Sequence, residues 1–451
     1  MKPFRLLYSF CLVLWLFCSL ALPAQAFCGF YVAKADTDLY NQASQVIIAR
    51  DGDRTILTMA NDYQGEVADF AMVVPVPVVL EEEQVRVADP TVLKRLDDFS
   101  APRLVEYFDE NPCAPQPPVV FAPTVPSPTS GAVRQEIAEE EIDLGVTVEA
   151  EFTVGEYDIV ILSAEESQGL ETWLRQNDYN IPAGAHELLQ PYIRQELKFF
   201  VAKVNLAEFE QSETQNLRPL QMAFESPRFM LPIRLGMLNA QGDQDLIVYL
   251  LSPKGQVELT NYRTVKIPSD LDVSEFVEEE FPEFYTTMFD QSYQTENKEV
   301  GFLEYAWNMA WCDPCSAQPL SSEELGKAGV FWIQKNASNG QFAPPNNDVF
   351  ITRLHVRYSR DKFPEDLIFQ ETGNQQTFQG RYVIRHPYRG EMDCSAAAPY
   401  RAQVRDRQQN ALKNVIRLTG WKRTETYPKV KWLIDRPNPN PEPWWQNVFG
   451  N

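Results

Sequence analysis

Apolar and polar positions alternate most regularly over residues 44–65, SQVIIARDGDRTILTMANDYQG. Two β-rich runs flank Asp51-Gly52-Asp53, and Gly52 can take the positive φ that a tight turn needs, so a hairpin is predicted. VADFAMVVPVP follows as a third strand, whose two prolines place its end at a sheet edge. From Thr91 to Phe108 the apolar positions Val92, Leu93, Leu96, Phe99, Leu104 and Phe108 recur mainly at helical intervals. Pro102 interrupts them, which predicts two short helices.

Further along, VTVEAEFTVGEYDIVILSA predicts two strands turning at Gly155. A helix is predicted from Ser163 to about Asn177 and another near 184–195. LKFFVAKVNL, LQMAFES, FMLPIRLGML and DLIVYLLS follow as β-rich segments, punctuated at Gly242 and Pro253-Lys254-Gly255. VSEFVEEEFPEFYTTMF reads as helix, restarted at Pro282. FLEYAWNM, GVFWIQ, VFITRLHVRYS and FQGRYVIRH read as strands. Tyr400–Leu418 is an amphipathic helix that turns Val404, Ala411, Val415 and Leu418 inward and closes at Gly420. Strands outnumber helices without alternating regularly with them. The fold class predicted is α+β, mainly antiparallel sheet with several peripheral helices.

Composition divides the chain. Residues 1–26 read as a signal peptide: Lys2 and Arg5, an uncharged apolar run from Leu6 to Leu22, then Ala24-Gln25-Ala26 as the cleavage site. The expected product starts at Phe27 and is exported, to the periplasm or beyond. No other stretch has the length of a membrane helix, so no transmembrane span is expected in the mature chain. Residues 27–111 form an N-terminal β-rich part. Residues 112–136 read as a Pro-rich linker or loop, with seven prolines between 112 and 134. An acidic stretch, Glu136 to Asp143, reads as a solvated flank. Residues 137–436 make the main α+β body, and 437–451 a Pro-rich tail carrying Trp444-Trp445.

Charge then narrows the partners. The 451 residues hold 40 Lys+Arg and 63 Asp+Glu, a formal −23, which disfavours nucleic acid as a partner of the whole chain. The imbalance is regional: residues 27–350 carry 21 basic and 53 acidic side chains, residues 351–436 carry 17 and 9. Two readings stand. Either the basic C-terminal part docks on the acidic body, or it forms a patch for an anionic envelope surface or another polyanion.

Candidate chemistry is sparse. Removal of Cys11 and Cys18 with the leader leaves five disulfide candidates, Cys28, Cys113, Cys312, Cys315 and Cys394, an odd number. Trp311-Cys312-Asp313-Pro314-Cys315 is a C-x-x-C segment. FLEYAWNMAWCDPC resembles the strand-to-helix passage of thioredoxin-like proteins over some fourteen residues, which makes Cys312 and Cys315 redox candidates. Pro319, Ser321, Ser322, Gly326 and Gly329 interrupt the long helix such a fold places next. The competing reading is a Cys312–Cys315 staple, with Cys28–Cys113 as a second pair and Cys394 the odd thiol. A long bridge from Cys315 to Cys394 is the alternative that chain entropy favours. His186, His355 and His386 are scattered without metal-ligand spacing, so neither a metal nor a cofactor is expected. His355, between apolar neighbours, reads as a satisfied strand residue, and His386-Pro387 as a strand end. Asp51-Gly52-Asp53 and Gly242-Asp243-Gln244-Asp245 read as turns. No HExxH, G-x-S-x-G, Walker or G-x-G-x-x-G pattern occurs, so no catalytic residue is assigned.

Several longer segments occur in a set order: ARDGDRTILTMANDYQGEVADFAMVVPVP, SPRFMLPIRLG, YAWNMAWCDPC, RLHVRYSRDKFPEDLIFQ, FQGRYVIRHPYRG and LTGW. Together they resemble bacterial domain-of-unknown-function family 2330, from about Cys28 to Trp421. The resemblance implies an exported bacterial protein with no established activity and no assigned catalytic residues. Some members carry a C-terminal hydrophobic anchor, where this chain has a polar, Pro-rich tail. The expected function is that of a non-enzymatic, envelope-associated binding or structural protein, with an envelope or protein partner. The alternative is a thiol–disulfide oxidoreductase using Cys312 and Cys315.

Overall fold

The computed structural model describes residues 30–33, 40–64, 70–114, 146–177, 185–211, 217–238, 242–311, 317–333 and 349–433. Residues 1–26, read above as a signal peptide, the acidic stretch at 136–143, the tail, most of the Pro-rich segment, and Cys28, Cys312 and Cys315 lie outside these residues.

Two large sheets lie face to face. The larger runs in the order Arg263–Lys266, Val300–Asn308, Phe350–Tyr358, Gln244–Ser252, Tyr40–Asp51, Arg54–Gln64, Leu220–Glu225 and Val85–Val87, with Phe378–Gln379 paired to Val300–Asn308. The smaller runs Phe30–Ala33, Phe70–Val76, Lys198–Val204, Tyr157–Ala164, Val146–Val154. Strands from before and after the Pro-rich segment therefore share both sheets. The smaller sheet is antiparallel throughout, and the larger is mixed. Antiparallel pairing holds along the hairpins and gives way to parallel where Gln244–Ser252 meets Tyr40–Asp51 and where Arg263–Lys266 meets Val300–Asn308.

Strand periodicity builds the layers, because alternate side chains leave opposite faces. On Lys198–Val204, Phe200, Ala202 and Val204 enter the core between the sheets. Phe199 and Val201 turn outward against helices Ser167–Gln176 and Ala185–Ile193. On Gln244–Ser252, Leu246, Val248 and Leu250 face the inter-sheet core. Tyr249 and Leu251 face helix Thr91–Ser100. Helices Phe281–Thr295 and Ala397–Thr419 continue that outer layer through Phe284, Met288, Leu412 and Val415. The architecture is thus helix, sheet, sheet, helix. Each fully buried Phe or Leu contributes about 1.5–3 kcal/mol.

Local signals hold at several points. The hairpin turns at Gly52 with φ +62°, and the long helix ends at Gly420 with φ +71°. Others need correction. Arg103–Phe108 is a strand, not a second helix, because it adds to Arg381–His386 in parallel register. Residues 329–333 of GVFWIQ form no strand; Val330 donates its N–H to Leu325 O and the segment packs as a helix-following turn. Phe70–Val76 lies inside its sheet rather than at an edge. Its neighbour Phe30–Ala33 pairs only with residues 70–73, so Pro75, without an N–H, falls where that neighbour has ended.

A small parallel sheet, Leu271–Val273, Arg381–His386 and Arg103–Phe108, closes one end of the molecule beneath helix Ala397–Thr419. Its register puts Phe108 beside His386, so both chains leave the sheet at the same end. Cys113 and Cys394 follow within a few residues and form a disulfide with Cα atoms 5.7 Å apart. This replaces the expected Cys28–Cys113 pair and gives Cys394, expected to be the odd thiol, a partner.

Candidate functional site

Strand Phe350–Tyr358 carries Arg353, His355 and Arg357 at alternate positions, hence on one face. They meet acids from four neighbours, two strands and two helices. Arg353 binds Glu304 (Nε–Oε2 2.6 Å) and Asp97 (Nη1–Oδ1 2.6 Å). His355 Nδ1 lies 2.8 Å from Glu304 Oε1 and Nε2 lies 3.0 Å from Asp245 Oδ1. Arg357 binds Asp245 (2.7 Å) and Asp290 (2.5 Å). The result is a row in which acid and base alternate from Asp97 to Asp290. Glu304 reaches it because a bulge between Leu303 and Tyr305 adds one residue to its strand. Tyr285 donates its hydroxyl to Glu304, and Phe289 stacks on His355 with centroids 3.8 Å apart.

Burial alone would push Glu304 up; Arg353 and His355 more than offset it and hold the carboxyl at about 2. Burial likewise opposes ionisation of Asp245, and His355 and Arg357 hold it at about 2. Burial would lower His355, but the two carboxylates raise it. Both ring nitrogens are occupied, which bears out the reading of His355 as a satisfied strand residue. Each base of the row is paired to an acid on either side, which makes it a fixed internal charge arrangement. Ser167 Oγ lies 2.6 Å from His186 Nδ1, but Ser167 is 4% exposed, so this pair fastens two helices rather than presenting a nucleophile.

The open feature lies at the small parallel sheet. A groove of about 500 Å³ runs between Asp270–Asp272 and the helix residues Gln403, Arg407, Asn410 and Asn414. At Asp272 and Arg407 it adjoins a narrow cleft of about 20 Å³ lined by Ser274, Glu275, Arg385 and Gln408. Its charges are matched in pairs: Asp270 with Arg381, Asp272 with Arg385, Glu275 with Arg389, and Arg407 with Asp109. The groove therefore presents hydrogen-bonding groups with little net charge. Ser274 is 4% exposed, lines the cleft, and its Oγ is buried without a hydrogen-bond partner among the described residues.

These pairs also bear on the regional charge imbalance. Arg353, Arg357, Lys362, Arg381, Arg385, Arg389, Arg407, Lys429 and Lys431 all reach acids of the preceding body. This supports intramolecular docking of the basic C-terminal part. Of the residues singled out for redox chemistry, Cys312 and Cys315 lie outside the described residues; Trp311 before them is 49% exposed and packs against Trp307. His386 ends its strand as expected. Sequence reading missed the groove, whose walls lie more than a hundred positions apart. It also missed the row, for which the alternation in RLHVR was the available signal.

Among the described residues, no helix is long and apolar enough to cross a membrane. Neither a curated protein nor a solved structure matches the chain. One family does match: domain-of-unknown-function family 2330, described as an uncharacterized protein conserved in bacteria, over residues 22–370. The matched stretch holds the whole charged row and stops short of the helix that walls the groove. It covers well over half of the 451 residues, and the chain belongs to this bacterial family.

Proposed function

We propose that this is a non-enzymatic, exported binding protein of the cell envelope, and that the groove under helix Ala397–Thr419 holds its ligand. The observation that carries the reading is Ser274. A buried hydroxyl left unpaired costs about 1–3 kcal/mol and calls for a partner. It lines a narrow cleft of about 20 Å³ that adjoins, at Asp272 and Arg407, the groove of about 500 Å³, whose size falls within the range of small-molecule sites. The walls offer carboxamides and paired charges, which suit a neutral ligand rich in hydroxyls, such as an oligosaccharide. The Cys113–Cys394 bridge is consistent with an oxidising compartment.

A thiol–disulfide activity at Cys312 and Cys315 is the second reading, favoured by the half-exposed Trp311 next to Cys312. The test pairs two assays. Ligand-observed NMR with neutral oligosaccharides should show binding to the wild type that Ser274→Ala and Asn414→Ala weaken. Turnover of a model disulfide peptide should be absent. No saccharide binding, with turnover that Cys312→Ser abolishes, would transfer the assignment to the second reading.

A further inference from the structure

Glu106, Glu278 and His386 come together at the end of the small parallel sheet. One ligand atom from each lies within 4.8 Å of the others. Three chain segments meet there. Glu106 lies on Arg103–Phe108, His386 on the strand paired in register with it, and Glu278 on the short turn of helix Glu275–Glu278.

The imidazole is oriented from two sides. Phe108 stacks on it with centroids 4.4 Å apart and planes 10° off parallel. Nδ1 faces Glu275 Oε2 at 3.9 Å, and Glu275 is itself held by Arg389 and Gln408. That leaves Nε2 directed at Glu106 Oε2, 2.7 Å away. A ligating histidine commonly has this form: one nitrogen toward the metal, the other toward a carboxylate that is held in turn.

Charge points the same way. The Glu278 carboxylate makes no hydrogen bond or ion pair with any described residue. The nearby guanidiniums are engaged elsewhere, Arg385 with Asp272 and the Tyr107 ring, Arg389 with Glu275. Among the described residues, therefore, two carboxylates approach one imidazole with no lysine or arginine paired to either. With metal–ligand bonds of about 2.0–2.2 Å, tetrahedral ligand atoms stand roughly 3.3–3.6 Å apart, so the three side chains need only small rotations to close on one ion.

We propose that Glu106, Glu278 and His386 Nε2 bind a divalent first-row metal ion, with Zn²⁺ the favoured occupant and Glu275 the carboxylate behind the histidine. One imidazole with two carboxylates suits Zn²⁺ better than Mg²⁺ or Ca²⁺, which favour all-oxygen shells. Three protein ligands leave a fourth position open. The proposal rests on this cluster alone and does not depend on a ligand in the groove.

The test uses the full exported chain with its disulfide intact and its free thiols alkylated, so that cysteine cannot hold the ion. Zn²⁺ alone is titrated in competition with a chromogenic chelator, and X-ray absorption at the zinc edge reads the ligands. Expected are one Zn²⁺ per chain and a shell of nitrogen and oxygen with one imidazole. Glu278→Gln and His386→Gln should each weaken binding at least about tenfold. Ser274→Ala should leave zinc binding unchanged, which separates this site from the groove. Glu278 is exposed and its carboxylate unbonded, so Glu278→Gln tests the site without threatening the fold. Absence of stoichiometric Zn²⁺, or Glu278→Gln binding as tightly as the wild type, would overturn the proposal.

Discussion

Replacing Glu304 by Gln removes the acid at the centre of the buried charged row while keeping its shape. Arg353 is left with Asp97 and His355 with Asp245. The carboxyl stands at about 2 in the fold against an ordinary 4.5. At 1.36 kcal/mol per pH unit, that gap corresponds to about 3 kcal/mol of stability at neutral pH. An independent route gives a similar size, since deleting one partner of a buried ion pair costs about 3–5 kcal/mol. The sign follows from the direction of the shift. A carboxyl depressed in the fold stabilises above its unfolded value and loses that contribution as pH falls through about 4.5 toward 2. At pH 3 the wild type should have lost about 2 kcal/mol of it, and Glu304→Gln has none to lose. Urea denaturation of both proteins at pH 7 and pH 3 measures this. The wild type should lead by about 3 kcal/mol at pH 7 and by about 1 kcal/mol at pH 3. A lead under about 1 kcal/mol at pH 7, or one that does not narrow in acid, would refute the reasoning.

The same row predicts an alkaline limb. His355 is raised in the fold, so its contribution is complete below about 6.5 and is lost as pH climbs through the folded value; His355→Gln should flatten this part of the stability–pH curve. Cys394→Ser removes a bridge of sequence separation 281, and chain-entropy arithmetic puts the loss near 5–6 kcal/mol, to be read as a lower melting temperature. Alkylation of Cys394 in the unreduced, denatured wild type would contradict that bridge. Gly255→Ala places a Cβ 2.5 Å from Asn374 O at a backbone φ of +148°, so a loss of roughly 1–3 kcal/mol in urea denaturation is expected, against little change for Gly242→Ala, which meets nothing within 4 Å.

Local chemistry made some elements legible and not others. The hairpin at Gly52 and the helix stop at Gly420 depend on backbone freedom a few residues wide, so composition shows them. The spacing of Leu104 and Phe108 suited a helix. Arg103–Phe108 became a strand because Arg381–His386, nearly three hundred positions later, offered it a parallel edge. The same distance explains the cysteines. Proximity along the chain favours Cys312–Cys315, whereas Cys113 and Cys394 meet only through the register of that sheet. His355 was legible as a bonded residue, but its partners were not. Glu304 enters through a bulge, and bulges leave no fixed sequence mark. Ser274 looked like any polar residue, because an unpaired hydroxyl is a property of surroundings that only the assembled fold supplies.

The Cys113–Cys394 bond also makes the intervening polypeptide a covalent ring. A protease that severs any single peptide bond between those residues, including one in the Pro-rich segment, opens the ring without dividing the molecule. Such a nicked protein would migrate as one species on a non-reducing gel and as two after reduction. Cleavage within the ring thus leaves the pieces joined in any separation by size that preserves the disulfide, and a reductant decides whether they part.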